Sequence, residues 1–176
     1  MQPENETKKS PASRNRRSWR WLFELLLLVA LVWGVHAYQT RDLARGPAPV
    51  FNAQLLDGRW VNLKDYRGRP LLLHFWASWC PVCRLEQASI DNIARDQTVL
   101  TVTLDEMSAS ELQRWMQGQG VSYPVVRDPT GGMARQYGVR GVPTSVIIDG
   151  MGQIRFTEVG FTTEAGLRLR LWWAGL

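Results

Sequence analysis

The chain has 176 residues, enough for one folded domain with an appended segment. Hydrophobic residues make up 45% and charged residues 21%, proportions that exclude intrinsic disorder and collagen-like or coiled-coil architectures; two Cys are too few for a disulfide-dense scaffold. The net charge is +5, but residues 39–176 hold fifteen basic and thirteen acidic side chains, so the body lacks the basic face of a nucleic-acid-binding domain.

The N-terminal 38 residues have the pattern of a membrane-targeting segment. Residues 1–18 are polar and basic without an apolar face, which predicts a disordered cytoplasmic arm. Residues 19–38 are apolar, long enough to cross a bilayer, and carry Trp and Tyr toward both ends. We therefore expect a single transmembrane anchor, with a cleaved signal peptide and a buried core helix as alternatives.

The charge before residues 19–38 predicts where the remainder of the chain works. Basic residues stay on the cytoplasmic side, so residues 39–176 are expected on the far side of a bacterial inner membrane, in the oxidising periplasm. Residues 39–47 are the predicted tether, and residues 48–176 the predicted folded domain.

The folded domain alternates predicted strands and helices. The predicted strands cover residues 51–55, 59–63, 71–76, 99–104, 146–148 and 154–156. The predicted helices cover residues 81–94, 108–116, 133–137 and 164–173. The run at 71–76 is almost continuously apolar, as in a strand buried on both faces. This order predicts an α/β domain in which a mixed central sheet has helices on both faces.

Two cysteines stand where the strand at 71–76 gives way to the helix at 81–94. The motif is Trp79-Cys80-Pro81-Val82-Cys83. Pro is favoured at the first helical position, which places Cys80 at the N-cap, and a spacing of three puts both sulfurs on one helix face within disulfide distance. The helix N-terminus favours the Cys80 thiolate, the form that attacks disulfides, and Cys83, deeper and less exposed, would resolve the mixed disulfide.

The same cysteine pair has two other interpretations. A structural disulfide between residues three apart closes too small a loop to add much stability. Two soft thiolates at this spacing are also a ligand set for Cu(I), so a Cu(I)-binding module is the alternative to redox exchange. For redox exchange we expect no cofactor beyond the Cys80–Cys83 disulfide itself and no bound metal.

The residues around the motif resemble a known family. Residues 73–83 (LHFWASWCPVC) are similar to a thioredoxin-fold active site, and Gly141-Val142-Pro143-Thr144 is similar to its cis-proline loop. Residues 48–69 resemble the β-hairpin that TlpA/DsbE-type proteins add before the thioredoxin core. The resemblance covers about residues 47–174 and is nearest to the suppressor-of-copper-sensitivity protein D (ScsD) type.

The resemblance implies a thioredoxin-like fold and a membrane-tethered thiol–disulfide oxidoreductase. Its substrates would be protein thiols and disulfides, and its redox partner another thiol protein in the membrane or the periplasm. Copper tolerance and cytochrome c maturation are the processes implied. The Val142–Pro143 bond is expected to be cis, with the backbone of Val142 pairing with a bound substrate chain.

Supporting roles are expected for residues near the cysteines. Trp79 would shield Cys80, and the Pro81-Val82 dipeptide carries no charge that would further stabilise the thiolate. His74 falls where thioredoxins carry a buried acid; it is either a hydrogen-bonded core residue or a group that accepts or relays the Cys83 proton. Glu86 matches an acidic position of TlpA/DsbE-type helices, so it is either a second proton carrier or a solvated helix residue.

Overall fold

The computed structural model describes residues 15–40 and 43–176. They belong to two compact units, of which the first ends at Gln39 and the second comprises Thr40–Leu176. The described residues of the first unit lie in helix α1 (Asn15–Thr40), whose last residue belongs to the second unit and whose side chains from 21 to 31 are exposed. Within the described ranges, no helix has both the length and the apolar character needed to cross a membrane.

The second unit is an α/β domain. Its strands are β1 (Gly46–Pro47), β2 (Asn52–Gln54), β3 (Trp60–Asn62), β4 (Leu71–Trp76), β5 (Val99–Thr103), β6 (Val125–Arg127), β7 (Thr144–Ile148) and β8 (Gln153–Val159). Its helices are α2 (Pro81–Ala94), α3 (Ala109–Gln119), α4 (Gly132–Gln136) and α5 (Glu164–Ala174), with a 3-10 helix at Leu63–Tyr66. The bounds of β4 and α2 agree with the prediction from the sequence.

Six strands form one mixed sheet in the order β1-β8-β7-β4-β5-β6. Strand β4 is parallel to β5 and antiparallel to β7, β5 is parallel to β6, and β7 is antiparallel to β8. Strands β2 and β3 form a separate hairpin. The predicted mixed sheet is therefore confirmed, with a hairpin before it.

Buried side chains divide into two clusters because strand side chains alternate between the faces of the sheet. Leu71, Leu73 and Phe75 of β4 belong to a cluster that includes residues of the hairpin and of α4. Leu72 and Trp76 belong to the other cluster, with residues of α2, α3 and α5 and with both cysteines. All six residues of β4 are buried, as its apolar run predicts.

Several elements begin or end one to three residues from their predicted bounds, the 3-10 helix was not predicted, and two further parts of the domain differ from the prediction. Strand β6 was not expected, because three residues are too few to show a period and pairing with β5 defines the strand. Residues 43–48 lie within or beside the predicted tether yet join the domain: Leu43 and Ala48 are buried, and Gly46–Pro47 pairs with β8. The pairing of Gly46–Pro47 with β8 could not be predicted because two residues are too few to show the alternation of a strand.

Candidate active site

The two cysteines lie at the N-terminus of α2, where β4 has just ended. Cys80 is the N-cap residue, with extended backbone angles (φ −84°, ψ 113°), and Pro81 is the first helical residue. The backbone N–H of Cys83 donates to Cys80 Sγ over 3.1 Å. The cysteines are joined by a disulfide, with Cα atoms 5.3 Å apart. The predicted N-cap position and the predicted proximity of the sulfurs are both confirmed.

Burial does not distinguish the two cysteines. Cys80 is 4% exposed and Cys83 3%, so Cys83 is the less exposed of the pair, as predicted, but by a margin too small to give the two sulfurs different roles. The difference between them is electrostatic, because only Cys80 Sγ receives an N–H from the first turn of the helix. Such a donor and the positive end of the helix stabilise a thiolate at Cys80.

The loop before β7 closes over the Cys80 sulfur. The Val142–Pro143 bond is cis, as expected. Cys80 Sγ lies 3.6 Å from the carbonyl oxygen of Val142, and the Thr144 hydroxyl donates to the Gly141 carbonyl over 2.8 Å. The backbone of residues 141–143 therefore borders one side of the disulfide.

Asp105 stabilises the turn that precedes Cys80, a role that was not predicted from the sequence. It is buried just after β5, and its carboxylate accepts from Ser78 N at 2.9 Å, Ser78 Oγ at 2.7 Å and Thr103 Oγ1 at 2.5 Å. These bonds fix the turn that leads from Trp76 to Cys80. An acid directly after a buried strand, beside the end of a parallel neighbour, was the signal in the sequence.

His74 lies on β4 and is buried. In the sheet it stands opposite Ser145 of β7, and its Nδ1 shares a hydrogen bond of 2.9 Å with Ser145 Oγ. Burial lowers the pKa of His74 from its ordinary 6.5 to about 4, because a charged imidazolium loses its hydration there. His74 is therefore neutral at neutral pH.

Glu86 lies on α2, one turn after Cys83, and is buried rather than solvated. Its Oε1 accepts from the backbone N–H of Thr162, and its Oε2 has no hydrogen-bond partner among the described residues. Burial raises the pKa of Glu86 from 4.5 to about 7, and the Thr162 N–H opposes that rise. A carboxyl of this kind exchanges its proton near neutral pH.

The aromatic residues flanking the motif differ in their surroundings. Trp76 is buried and its ring stacks on Trp115 at 5.4 Å and meets Tyr123 edge-on at 5.8 Å. Trp79 is 65% exposed, so it borders the site from the solvent side instead of packing into the domain. Pro81 and Val82 of the motif are also exposed.

No group of three or more His, Cys, Asp or Glu side chains suited to a metal ion occurs in the described residues. The cysteine pair is the ligand set that the sequence offered, and its sulfurs are bonded to each other. The arrangement that the structure does present is a cysteine couple at a helix N-terminus, faced by a backbone loop and accompanied by the buried carboxyls of Glu86 and Asp105.

Comparisons with known proteins point in one direction. A model of the AhpC/TSA family matches residues 44–157. The chain is 33% identical over 158 residues to the thiol:disulfide interchange protein DsbE of Xylella fastidiosa (84% of this chain, 80% of that protein). It is 27% identical over 161 residues to the thiol-disulfide oxidoreductase ResA of Halalkalibacterium halodurans (86% and 91%).

A solved structure gives the same result. The exposed lipoprotein thioredoxin Etrx1 of Streptococcus pneumoniae is similar with a TM-score of 0.62 at 32% identity. The similarity covers 70% of this chain and 98% of that chain. The domain described above accordingly has the thioredoxin-like fold.

The raised pKa of Glu86 predicts how stability depends on pH. The folded protein holds this proton more tightly than the unfolded chain, so Glu86 lowers the free energy of unfolding as pH rises from about 4.5 to about 7, and the loss is constant above that. Gln at this position cannot ionise. The free energy of unfolding of Glu86→Gln minus that of the wild type should therefore increase as pH rises across this window. Denaturant titrations of the oxidised proteins measure this difference.

Glu111→Gln is the matched control for that titration. Hydrogen bonds from Ser108 lower the pKa of Glu111, so this carboxylate is ionised in both states at pH 5 and above. Its difference from wild type should stay constant between pH 5 and 8. A flat difference for Glu86→Gln as well would show that Glu86 has an ordinary pKa.

Proposed function

Because the chain belongs to the AhpC/TSA family and is a thiol–disulfide oxidoreductase, like the relatives named above, we propose that Cys80 is its attacking thiol and Cys83 its resolving thiol. The observation that carries this assignment is the N–H of Cys83 directed at Cys80 Sγ, at the first turn of α2. A donor in that position stabilises the negative sulfur of Cys80 in the reduced protein.

The proposed exchange proceeds in two balanced steps. The Cys80 thiolate attacks one sulfur of a substrate disulfide, forming a mixed disulfide and releasing the other substrate sulfur as a thiolate. The Cys83 sulfur, having lost its proton, then attacks Cys80 Sγ, which restores the Cys80–Cys83 disulfide and releases the second substrate thiolate. Two electrons pass to the substrate, and a reduced thiol protein must supply two electrons to begin again.

The substrate chain is proposed to lie along the loop before β7. Val142 presents its carbonyl oxygen 3.6 Å from Cys80 Sγ, and Pro143 behind it is buried. A polypeptide that pairs with the backbone of Val142 therefore has its own cysteine within reach of Cys80. Main-chain pairing of this kind gives affinity without demanding a particular sequence.

Glu86 is better suited than His74 to accept the proton that Cys83 must lose. A general base works best when its pKa lies near the operating pH. Burial places the pKa of Glu86 at about 7, whereas it holds His74 at about 4, too weak a base for a thiol. His74 instead shares its hydrogen bond with Ser145 across the sheet. We therefore assign the proton to Glu86 and a structural role to His74.

Single substitutions of the cysteines separate the two steps. Cys80→Ser should abolish reduction of insulin disulfides because no attacking sulfur remains. Cys83→Ser should form the mixed disulfide and retain it, which mass spectrometry under non-reducing conditions detects as a covalent adduct. Full insulin reduction by Cys80→Ser would contradict the assignment. Stoichiometric Cu(I) binding by a reduced domain that exchanges with no disulfide would instead establish the alternative, a Cu(I)-binding module.

The pH dependence of the reaction separates Glu86 from His74. The ratio of the wild-type rate to that of Glu86→Gln should rise as pH increases through about 7, because only the ionised carboxylate accepts a proton, and it should reach roughly hundredfold at pH 8. His74→Asn should keep the wild-type profile, since Asn retains a partner for Ser145. A profile altered in His74→Asn but not in Glu86→Gln would reverse the two roles. Stopped-flow Trp fluorescence follows the rates.

We also propose that residues 19–38 anchor the enzyme in a bacterial inner membrane, with the catalytic domain in the periplasm. The support is the apolar run at 25–35, the basic residues before it, and the exposure of the apolar side chains from 21 to 31. An anchored dithiol enzyme stays close to a membrane-embedded or periplasmic thiol protein that exchanges electrons with it. The process proposed is copper tolerance, which the resemblance to ScsD implies, or cytochrome c maturation.

Fractionation of cells that make the chain tests the location. The full chain should stay in the membrane pellet after alkaline carbonate extraction, and protease added to spheroplasts should digest residues beyond the anchor. Deleting the gene should cause copper sensitivity, or else lower covalently bound haem, and a chain lacking residues 1–38 should restore neither. Recovery of the intact chain in the carbonate supernatant would contradict the anchor.

A further inference from the structure

Four large apolar side chains on the two chain segments that lie beside the disulfide are exposed to solvent. We call them the apolar rim: Trp79, Val82, Leu85 and Phe161. Leu85 is 72% exposed and Phe161 58%. Single exposed apolar side chains are common on protein surfaces, but several on segments that meet at a reactive site indicate a place where an apolar partner binds.

Phe161 differs from the other three because it comes from a distant part of the chain. It follows β8, whereas the rest flank the cysteines at the start of α2. The residue before it, Gly160, donates its N–H to the carbonyl of Pro143 over 2.9 Å. The residue after it, Thr162, donates its N–H to Glu86 Oε1.

These two hydrogen bonds fix the backbone on either side of one exposed ring. One bond ties residues 160–162 to the loop that borders Cys80, and the other ties them to α2 one turn beyond Cys83. Phe161 is therefore held in place at the site rather than carried on a freely moving loop. Leu85 directly precedes Glu86 in the chain and Phe161 directly precedes Thr162, so each exposed side chain is the sequence neighbour of one partner of this hydrogen bond.

We propose that Phe161 is a substrate-contact residue that binds an apolar side chain next to the reacting cysteine of a polypeptide substrate, and that Glu86 positions it through Thr162. The inference rests on the proposed function, because the occupant must be the chain that exchanges with Cys80. The hydrogen bond between Gly160 and Pro143 selects this occupant: it holds Phe161 beside the loop of Val142, so a polypeptide lying along Val142 brings the neighbours of its cysteine toward Phe161. The enzyme then prefers apolar surroundings of the target cysteine.

Two peptides that differ only beside the cysteine test the preference. Each carries its single cysteine as a mixed disulfide with glutathione, flanked on both sides by Leu in one peptide and by Ser in the other. The measured quantity is the ratio of the two second-order rate constants with the reduced full-length chain. We expect the wild type to favour the Leu peptide by roughly tenfold, the scale on which apolar contacts discriminate.

Substitutions at and near Phe161 should change that ratio in a defined order. Phe161→Ser should bring it close to one, and Phe161→Leu should retain most of it. Glu86→Ala should lower the ratio because Thr162 loses its acceptor, and Glu86→Gln should restore it because the amide oxygen still accepts. Met151→Ser is the matched control: Met151 is 70% exposed in the turn at the opposite end of β7 and β8, and its loss should leave the ratio unchanged.

Each contrary result has a separate meaning. A wild-type ratio near one, or an unchanged ratio in Phe161→Ser, overturns the inference and leaves the proposed function intact. Failure of the wild type to react with either peptide overturns the proposed function itself. A self-association of the chain that Phe161→Ser abolishes, without any change in the ratio, would assign the rim to a second copy of the chain and also overturn the inference.

Discussion

The position of β4 is the constraint on which the active site depends. Both of its edges are paired and both of its faces are buried, so the strand has no freedom to shift along its neighbours. A slip by one residue would turn His74 and Trp76 to the opposite face. Because α2 begins five residues after β4 ends, the strand also fixes where Cys80 lies.

The two neighbours of β4 supply the two sides of the site. Parallel strand β5 ends beside the end of β4, and Asp105 follows it to hold the turn before Cys80. Antiparallel strand β7 begins at that same end, so the loop of Val142 and Pro143 directly precedes it. A mixed sheet is what allows this arrangement, since a parallel β7 would place its preceding loop at the other end.

Burial moves the pKa values of His74 and Glu86 in opposite directions for one reason. A buried site disfavours whichever form carries charge, so the imidazole stays neutral and the carboxyl keeps its proton to a higher pH. His74 therefore contributes no positive charge at neutral pH. Stabilisation of the Cys80 thiolate then depends on the N-terminus of α2, where the dipole and the Cys83 N–H act at short range.

The sequence predicts those features of the fold that arise from neighbouring residues, because only these leave a pattern in it. The apolar run of β4 and the Cys-Pro pair at the start of α2 are local, and their bounds were predicted correctly. The cis bond before Pro143 was expected from resemblance alone, because its cause is tertiary. The partner of His74 depends on strand register, and the partner of Glu86 is a main-chain N–H. A backbone donor is the same at every residue, so nothing in the sequence could identify Thr162.

The hydrogen bond from Thr162 to Glu86 joins the proposed proton acceptor to the proposed substrate surface. The Thr162 N–H favours the ionised carboxylate and so opposes the effect of burial on the pKa of Glu86. A substrate that strengthens this contact while it binds Phe161 would lower the affinity of Glu86 for its proton. By linkage, ionisation of Glu86 would then raise the affinity of the enzyme for that substrate. Deprotonation of Glu86 is also what the proposed resolving step requires. With both proposals, one hydrogen bond to the backbone would couple docking of the substrate to the readiness of the carboxylate to accept the Cys83 proton.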